Sequence, residues 1–462
     1  MASIVRRNKS FAVVYRYKDE FGTEKQKWES FQTKKEAQAR KAEIESAQCK
    51  NTFVRPSPKT VSEFLDDFVR LYGSKKWGIS MYSNQIALMK NYVIPLLGDI
   101  ELQSVTPFEL EKYFNELKYY PAASRNNVPP KDGAVVTAKT IEKIYKLLRC
   151  AFKQAKKWDL IAKNPCDGVT MDITKYTRRP IWDVNTIVQA LNECKDSRLY
   201  VAMNLSFACS LRIGEISGLQ WKNVVIDDDS IARDDAHLLV KQELERATKD
   251  ALEFVGMDDI YFTFPNTVAN SKTCLVLKKP KTDSSIRKVW IPKTLAYILR
   301  EWKNSQDAIK ECLGDEYEDY DLVICQANGR PCEHKLIEKS FAKLKIYAKL
   351  PDVVFHSLRH SSTTYKLKLN HGDIKATQGD TGHAQADMVM EVYAHIVDED
   401  RKVNASRFQE SFYAEALNCI KPNQSRTSEA ETPRELDVNH FIAALQNSPE
   451  LRQKLLNILS QT

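Results

Sequence analysis

The chain has 462 residues, enough for two or three domains with separate cores, and its 43% hydrophobic and 28% charged content is ordinary for a soluble globular protein. No apolar run approaches bilayer length, and the start MASIVRRNKSF has no apolar stretch behind its charges, so a membrane span and a secretory leader are not expected and the protein is predicted to stay in the cytoplasm. The net charge of +8 permits nucleic-acid binding without requiring it, and ten cysteines scattered singly, with no CxxC and no HExxH, give no support for a metal site and suit a reducing compartment.

The first fifty residues hold twelve Lys and Arg against seven Asp and Glu. Within them, residues 3–31 read as three short strands: Phe11 to Lys18 is rich in β-branched and aromatic residues, Asp19 to Gly22 supplies a turn, and KQKWESF follows with rough alternation. Thr33 and Glu36 form a capping box that opens a helix running to about Ala47, the cover that so small a sheet needs. Arg6, Arg7, Lys9, Arg16, Lys18, Lys25 and Lys27 lie on these strands beside Tyr15, Tyr17 and Trp28. Two readings stand side by side: a sheet that lies in a DNA groove, or a small solvated module.

Arg55-Pro56-Ser57-Pro58 reads as a linker, and a helical stretch follows. Thr60 and Glu63 cap a helix whose Val61, Phe64, Leu65 and Phe68 share a face; a second helix covers Tyr82 to Val93 and is expected to stop at Pro95 and Gly98. The third opens at Thr106-Pro107, and the fourth carries Ile141, Ile144, Leu148, Phe152 and Ala155 and ends before Asn164-Pro165. Residues 170–181 look like a second linker, after which helices and short strands mix to about residue 415. Pro422 to Arg434 reads as a polar linker, and Leu436, Phe441, Leu445, Leu451, Leu455 and Leu459 fit an amphipathic helical end.

Breaking a phosphodiester through a covalent intermediate takes a tethered nucleophile, cations for the non-bridging oxygens and a proton donor for the leaving oxygen. Arginine suits the oxygens because its planar fork binds them in pairs and keeps its charge. Residue types of this kind fall in three separated clusters. In the first, Cys209-Ser210-Leu211-Arg212-Ile213-Gly214-Glu215, Arg212 stands at a helix start, where the macrodipole disfavours a cation; alone, it would read as a surface arginine paired with Glu215. In the second, Lys281 to Pro292, strand-like flanks put Lys281 at or near a hairpin turn, with Lys278 and Lys279 competing for any role. The third holds His356 and Arg359 three apart, then Gly382-His383, then Tyr393.

The ordered set resembles the tyrosine recombinases, the phage integrase family. SLRIGEISGLQW is similar to the family's arginine box and KTDSSIRKVWIP to its lysine hairpin; HSLRHSSTTY, TGH and VYAHI are similar to its histidine–arginine box, its Gly-His pair and its nucleophile segment. Ser210 stands where a glycine is usual, Thr381 where a leucine is, and the stretch from Trp221 to Lys281, with Asp227 to Asp229, Asp234 and Asp235, is longer than usual and reads as an inserted hairpin or loop. The resemblance implies a multidomain α+β protein: an arm-type DNA-binding domain at 1–54 (three-stranded sheet plus helix), a four-helix core-binding domain of SAM-like type at 60–170, a mainly helical catalytic domain with a small antiparallel sheet at 180–415, and a linker with a C-terminal helix at 422–462.

It further implies that Tyr393 is the nucleophile, that Arg212, Arg359 and His383 bind the phosphate oxygens, that Lys281 protonates the leaving oxygen and that His356 assists proton removal, with Glu215 in support. Neither metal nor other cofactor is implied. The partners implied are double-stranded DNA at core sites and arm sites, a homotetramer on that DNA, and an excisionase and a DNA-bending protein. A type IB topoisomerase shares the tyrosine chemistry, and a regulator that has lost catalysis is a further alternative; relaxation of plasmid without paired sites would favour the first, binding without cleavage the second.

Overall fold

Alternation of β-branched and aromatic residues builds the first sheet in the computed structural model, which describes residues 2–7, 10–18, 22–50, 53–124, 129–171, 180–370 and 373–381. Strands β1 (Ser3–Arg7), β2 (Ser10–Lys18) and β3 (Glu24–Phe31) form an antiparallel sheet in that order, with Val14 opposite both Ser3 and Trp28. Helix α1 (Lys34–Cys49) starts at the Thr33/Glu36 capping box, and its Ala37 and Ile44 pack on Val13 and Tyr15. Arg40 ties helix to sheet by donating to Glu29 at 2.8 Å, while the Tyr15 hydroxyl donates to the same carboxylate at 2.6 Å.

Four helical runs follow. The first is α2 (Val61–Asp67), continued by a π turn (Phe68–Gly73) and α3 (Ser74–Lys76). The second is α4 (Ile79–Leu88), a π turn (Met89–Val93) and α5 (Ile94–Leu97). The run ends at Gly98, the C-cap of α5, as expected from the sequence, but Pro95 does not break it earlier: it sits in the first turn of α5, where a missing N–H costs little, and the π turn just before it resets the hydrogen-bond ladder. Helices α6 (Pro107–Leu117) and α7 (Ala138–Lys157) complete the set around Phe64, Phe68, Leu110, Ile144, Leu148 and Phe152. The Arg55–Pro58 segment has no regular structure, and Gln103 holds it by donating to the Arg55 carbonyl at 2.7 Å.

The largest core begins at Trp182 and runs through α8 (Val184–Asn192), α9 (Ser197–Ala208) and α10 (Ile213–Ser217). Between α10 and α13 the chain makes β4 (Val224–Val225), α11 (Asp228–Ala232), β5 (His237–Val240), β6 (Glu243–Thr248), α12 (Lys249–Val255), β7 (Ile260–Thr263), β8 (Thr273–Lys278) and β9 (Arg287–Trp290). Helices α13 (Lys293–Leu313), α14 (His334–Tyr347), α15 (Ser357–Leu369) and α16 (Ile374–Thr381) follow. Among the described residues this region holds two antiparallel sheets, ordered β4-β5-β9 and β6-β8-β7. Strands β8 and β9 lie in different sheets, so Lys281 sits on a crossover between sheets and not on a hairpin turn; the segment from Asp259 to Lys278 turns back on itself and takes β8 for its own pairing.

The long stretch before Lys281 is thus an ordered unit, β6-α12-β7-β8, with a defined place. Ile79 of α4 is buried with Ala247, Ala251, Leu252, Cys274 and Val276, Tyr82 stacks on Phe254 at 4.3 Å, and Ser83 and Thr248 hydroxyls meet at 3.2 Å. On its other flank β6 lies against α10, where Gly218 leaves no room for a side chain: a Cβ there would stand 2.7 Å from the Leu244 nitrogen. The aspartates that mark the stretch cap α11 or pair on the surface, Asp234 with Lys293 and Asp235 with Lys288, both at 3.2 Å.

Candidate active site

The turn between α9 and α10 builds the centre of the site. Ser210 adopts φ +53°, the left-handed region where glycine pays no steric cost, which accounts for glycine being the usual residue there. Its hydroxyl meets that of Ser362 at 2.6 Å, and its carbonyl accepts from Nη1 of Arg359. Two residues on, Arg212 occupies the N-cap of α10, and Glu215 in the first turn answers it. Oε2 accepts the Arg212 backbone N–H at 2.9 Å and Oε1 accepts Nη1 at 2.7 Å. A carboxylate at the third helical position thereby offsets the cation at the helix start.

Glu215 is 2% exposed and surrounded by arginines. Arg287 donates to both its oxygens, at 3.2 and 3.1 Å, and Arg359 lies 4.0 Å away. Burial pushes the Glu215 carboxyl up, but Arg287 and Arg212 more than reverse this and hold it below the usual carboxylate range. Arg359, on the inner face of α15 and 1% exposed, donates through Nη2 to the Thr381 carbonyl at 2.5 Å. Burial first, then the neighbouring Arg212, push its guanidinium down to about 9, so it remains charged at neutral pH. Position 381 contributes its backbone carbonyl here, which is why threonine serves in place of leucine.

The Lys281 loop joins this centre through its far end. Ser285 takes a hydrogen bond from Arg287 on its carbonyl at 3.0 Å, its Oγ lies 3.4 Å from Nη1 of Arg212, and Thr282 Oγ1 meets it at 2.9 Å. Lys281 itself is exposed. Of its competitors, Lys278 is already committed, paired with Glu243 at 2.9 Å and Glu245 at 2.8 Å and 13% exposed. His356 is the exposed residue that precedes α15, and its ring meets that of His360 edge-on at 5.0 Å. These two have a spacing that helical metal sites use, but among the described residues no group of three His, Cys, Asp or Glu could hold an ion. The site residues named from sequence are therefore brought together in part: Arg212, Glu215 and Arg359 share one centre, with the Lys281 loop tied to it. His383 and Tyr393 lie outside the described residues.

Arg287 was not among the residues singled out from the sequence. The signal was present: Arg287 and Val289 alternate along β9, Ile291 continues the period just beyond it, and the last two are buried, so period-two patterning puts the arginine on the inner face. Its side chain is 6% exposed.

In the first sheet, alternation sorts the basic residues into two sets. Arg7, Arg16 and Lys18 share the face opposite α1 with Trp28, over whose ring Arg7 lies at 4.7 Å; Arg6, Lys25 and Lys27 belong to the register of Tyr15 and Tyr17 on the helix side. All six are exposed, and Lys9 lies outside the described residues.

Residues 264–400 match the phage integrase family and residues 3–48 match an arm DNA-binding domain. A XerC-like tyrosine recombinase of Caldanaerobacter subterraneus subsp. tengcongensis is 24% identical over 321 residues, covering 67% of this chain and 72% of the relative. The ICEBs1 integrase of Bacillus subtilis is 22% identical over 345 residues, 71% and 77% of the two chains. Among solved structures, the Tn1549 transposon integrase bound to circular intermediate DNA shares the fold with a TM-score of 0.56 at 18% identity, over 76% of this chain and 99% of that one.

Proposed function

We infer the chemistry from one premise: the chain belongs to the phage integrase family of tyrosine recombinases, enzymes of mobile elements that cleave and rejoin DNA at specific sites. In this reading Tyr393 attacks the scissile phosphate, giving a 3′-phosphotyrosyl link and a free 5′-hydroxyl. Arg212 and Arg359 bind the non-bridging oxygens, and His383 adds a further donor. Lys281 protonates the leaving 5′-oxygen, and His356 assists proton removal from the tyrosine. An unperturbed phenol ionises near ~10, so a nearby base and two guanidiniums favour the phenolate that attacks. The new ester conserves the energy of the broken one, so rejoining is the reverse reaction.

One observation carries this reading: two arginines from distant parts of the chain converge on a single buried carboxylate, and the loop bearing an exposed lysine is bonded to the same centre. A fold that needed only stability would replace so many buried charges with apolar residues at little cost. The remaining organisation follows the same reading. Residues 1–54 bind arm sites through the sheet face that bears Arg7, Arg16 and Lys18, and residues 60–170 bind core sites together with the catalytic region at 180–415. Four protomers exchange strands between two duplexes in the bacterial cytoplasm, with an excisionase and a DNA-bending protein setting direction.

The test is a nicked duplex from the end of the element, incubated in EDTA and run on a denaturing gel. A protein-linked DNA band is expected and should vanish in Tyr393→Phe with DNA binding retained. A linked band in that variant removes Tyr393 from the role.

A further inference from the structure

Around Glu215 stand three guanidiniums, those of Arg212, Arg287 and Arg359, and they are held differently. Arg287 is 6% exposed and takes both carboxylate oxygens in a fork-on-fork pair. Arg212 is 31% exposed and its guanidinium meets the carboxylate at one oxygen, through Nη1, while its backbone N–H donates to the other. Arg359 lies 4.0 Å off and donates to two backbone carbonyls. One carboxylate among three arginines leaves two positive charges, the number that matches a phosphoryl transition state with two negative charges on its non-bridging oxygens.

If Arg287 were removed, Glu215 would remain buried and charged with Arg212 as its nearest partner. The carboxylate would then draw Arg212 into the bidentate pair that Arg287 now occupies, and the net charge would fall by one. The same side chain fixes the Lys281 loop through the Ser285 carbonyl, so the loop and the arginines share one anchor.

We propose that Arg287 is a positioning residue for strand cleavage: by occupying both oxygens of Glu215 it leaves the positive charges of Arg212 and Arg359 uncompensated and directed to the scissile phosphate. The proposal rests on the reading of those two arginines as the phosphate clamp. The bonds of Arg287 to both Glu215 oxygens make it act through Glu215.

The experiment measures single-turnover cleavage of the nicked duplex at saturating protein. Arg287→Gln should slow cleavage by about 10²-fold or more while affinity in a gel shift changes little. Arg287→Lys should rescue poorly, because an ammonium cannot span both oxygens. The decisive variant is Glu215→Gln combined with Arg287→Gln: removing the carboxylate's charge removes the need for its counter-charge, so the pair should cleave about tenfold faster than Arg287→Gln alone. A duplex with a methylphosphonate at the scissile position, which lacks one negative oxygen, should likewise narrow the gap between wild type and Arg287→Gln. A residue that merely held the fold together would show neither recovery, and a melting curve on each variant identifies one that has unfolded. Wild-type cleavage by Arg287→Gln, or a folded double variant no faster than the single one on either substrate, overturns the proposal. Failure of the wild type to form any covalent complex would instead overturn the reading on which it rests.

Discussion

Two sets of cations in this molecule obey different physics. Arg7, Arg16 and Lys18 stand on the face of the first sheet away from the helix, exposed, with Arg16 in a loose pair with Glu24 at 3.9 Å. Arg287 and Arg359 are buried, and Arg212 is half-buried, around one carboxylate and a handful of carbonyls. Exposed cations act by number: each is screened by salt, and one can replace another. Buried ones act by geometry, because a charge out of water must have its partners in place. The first kind suits affinity for a polyanion, the second suits the stabilisation of charge at one atom.

Four changes test that contrast, beginning with the largest effect. Arg359→Met should abolish cleavage and lower the melting midpoint, since the Ser210 and Thr381 carbonyls lose their donor at roughly 1–3 kcal/mol each. An unshifted melting curve would mean that these carbonyls find other partners. Arg212→Ala should leave folding and DNA binding nearly intact yet cut cleavage by about 10²- to 10³-fold, as loss of one donor to a developing oxyanion does elsewhere; cleavage at the wild-type rate would remove Arg212 from the site.

The third is a pH effect. Glu215 is held below its ordinary value, so its stabilising contribution is complete above the normal carboxylate pKa of about 4.3 and is lost as pH falls through the depressed folded value. In acid titrations followed by melting, Glu215→Gln should be less stable than wild type at neutral pH, and the difference should shrink as pH falls. A difference that grows on acidification would contradict the sign assigned to this carboxyl. The fourth and smallest is in the sheet: alanine at Arg7, Arg16 or Lys18 should weaken arm-site binding several-fold, each reducing the salt slope by about 0.9. Equal weakening from Lys25→Ala and Lys27→Ala, on the helix side, would show that the face does not matter and only the charge does.

The sequence by itself determined most of the local structure. Alternation in Phe11 to Lys18 made a strand, the Thr33/Glu36, Thr60/Glu63 and Thr106/Glu109 boxes started helices where expected, and the spacing of Ile141, Ile144, Leu148 and Phe152 placed one face of α7 in the core. These are interactions within a few residues, so the residues that make them can be read together. The order of arginine, lysine and histidine boxes was legible for the same reason, and it named Arg212, Glu215 and Arg359 before their geometry was known.

Tertiary structure decided what depends on distant partners. Pro95 continues a helix because the π turn before it shifts the ladder, and the Lys281 segment crosses between two sheets because β8 found partners in β6 and β7. Lys278 lost its candidacy to Glu243 and Glu245 across the sheet, and the stretch before Lys281 acquired a place when Ile79 and Tyr82 packed on it from more than a hundred and fifty residues away. Arg287 became the partner of Glu215 from 72 residues away. A buried charge takes its meaning from the counter-charge that folding brings to it, and no local pattern encodes which one that is.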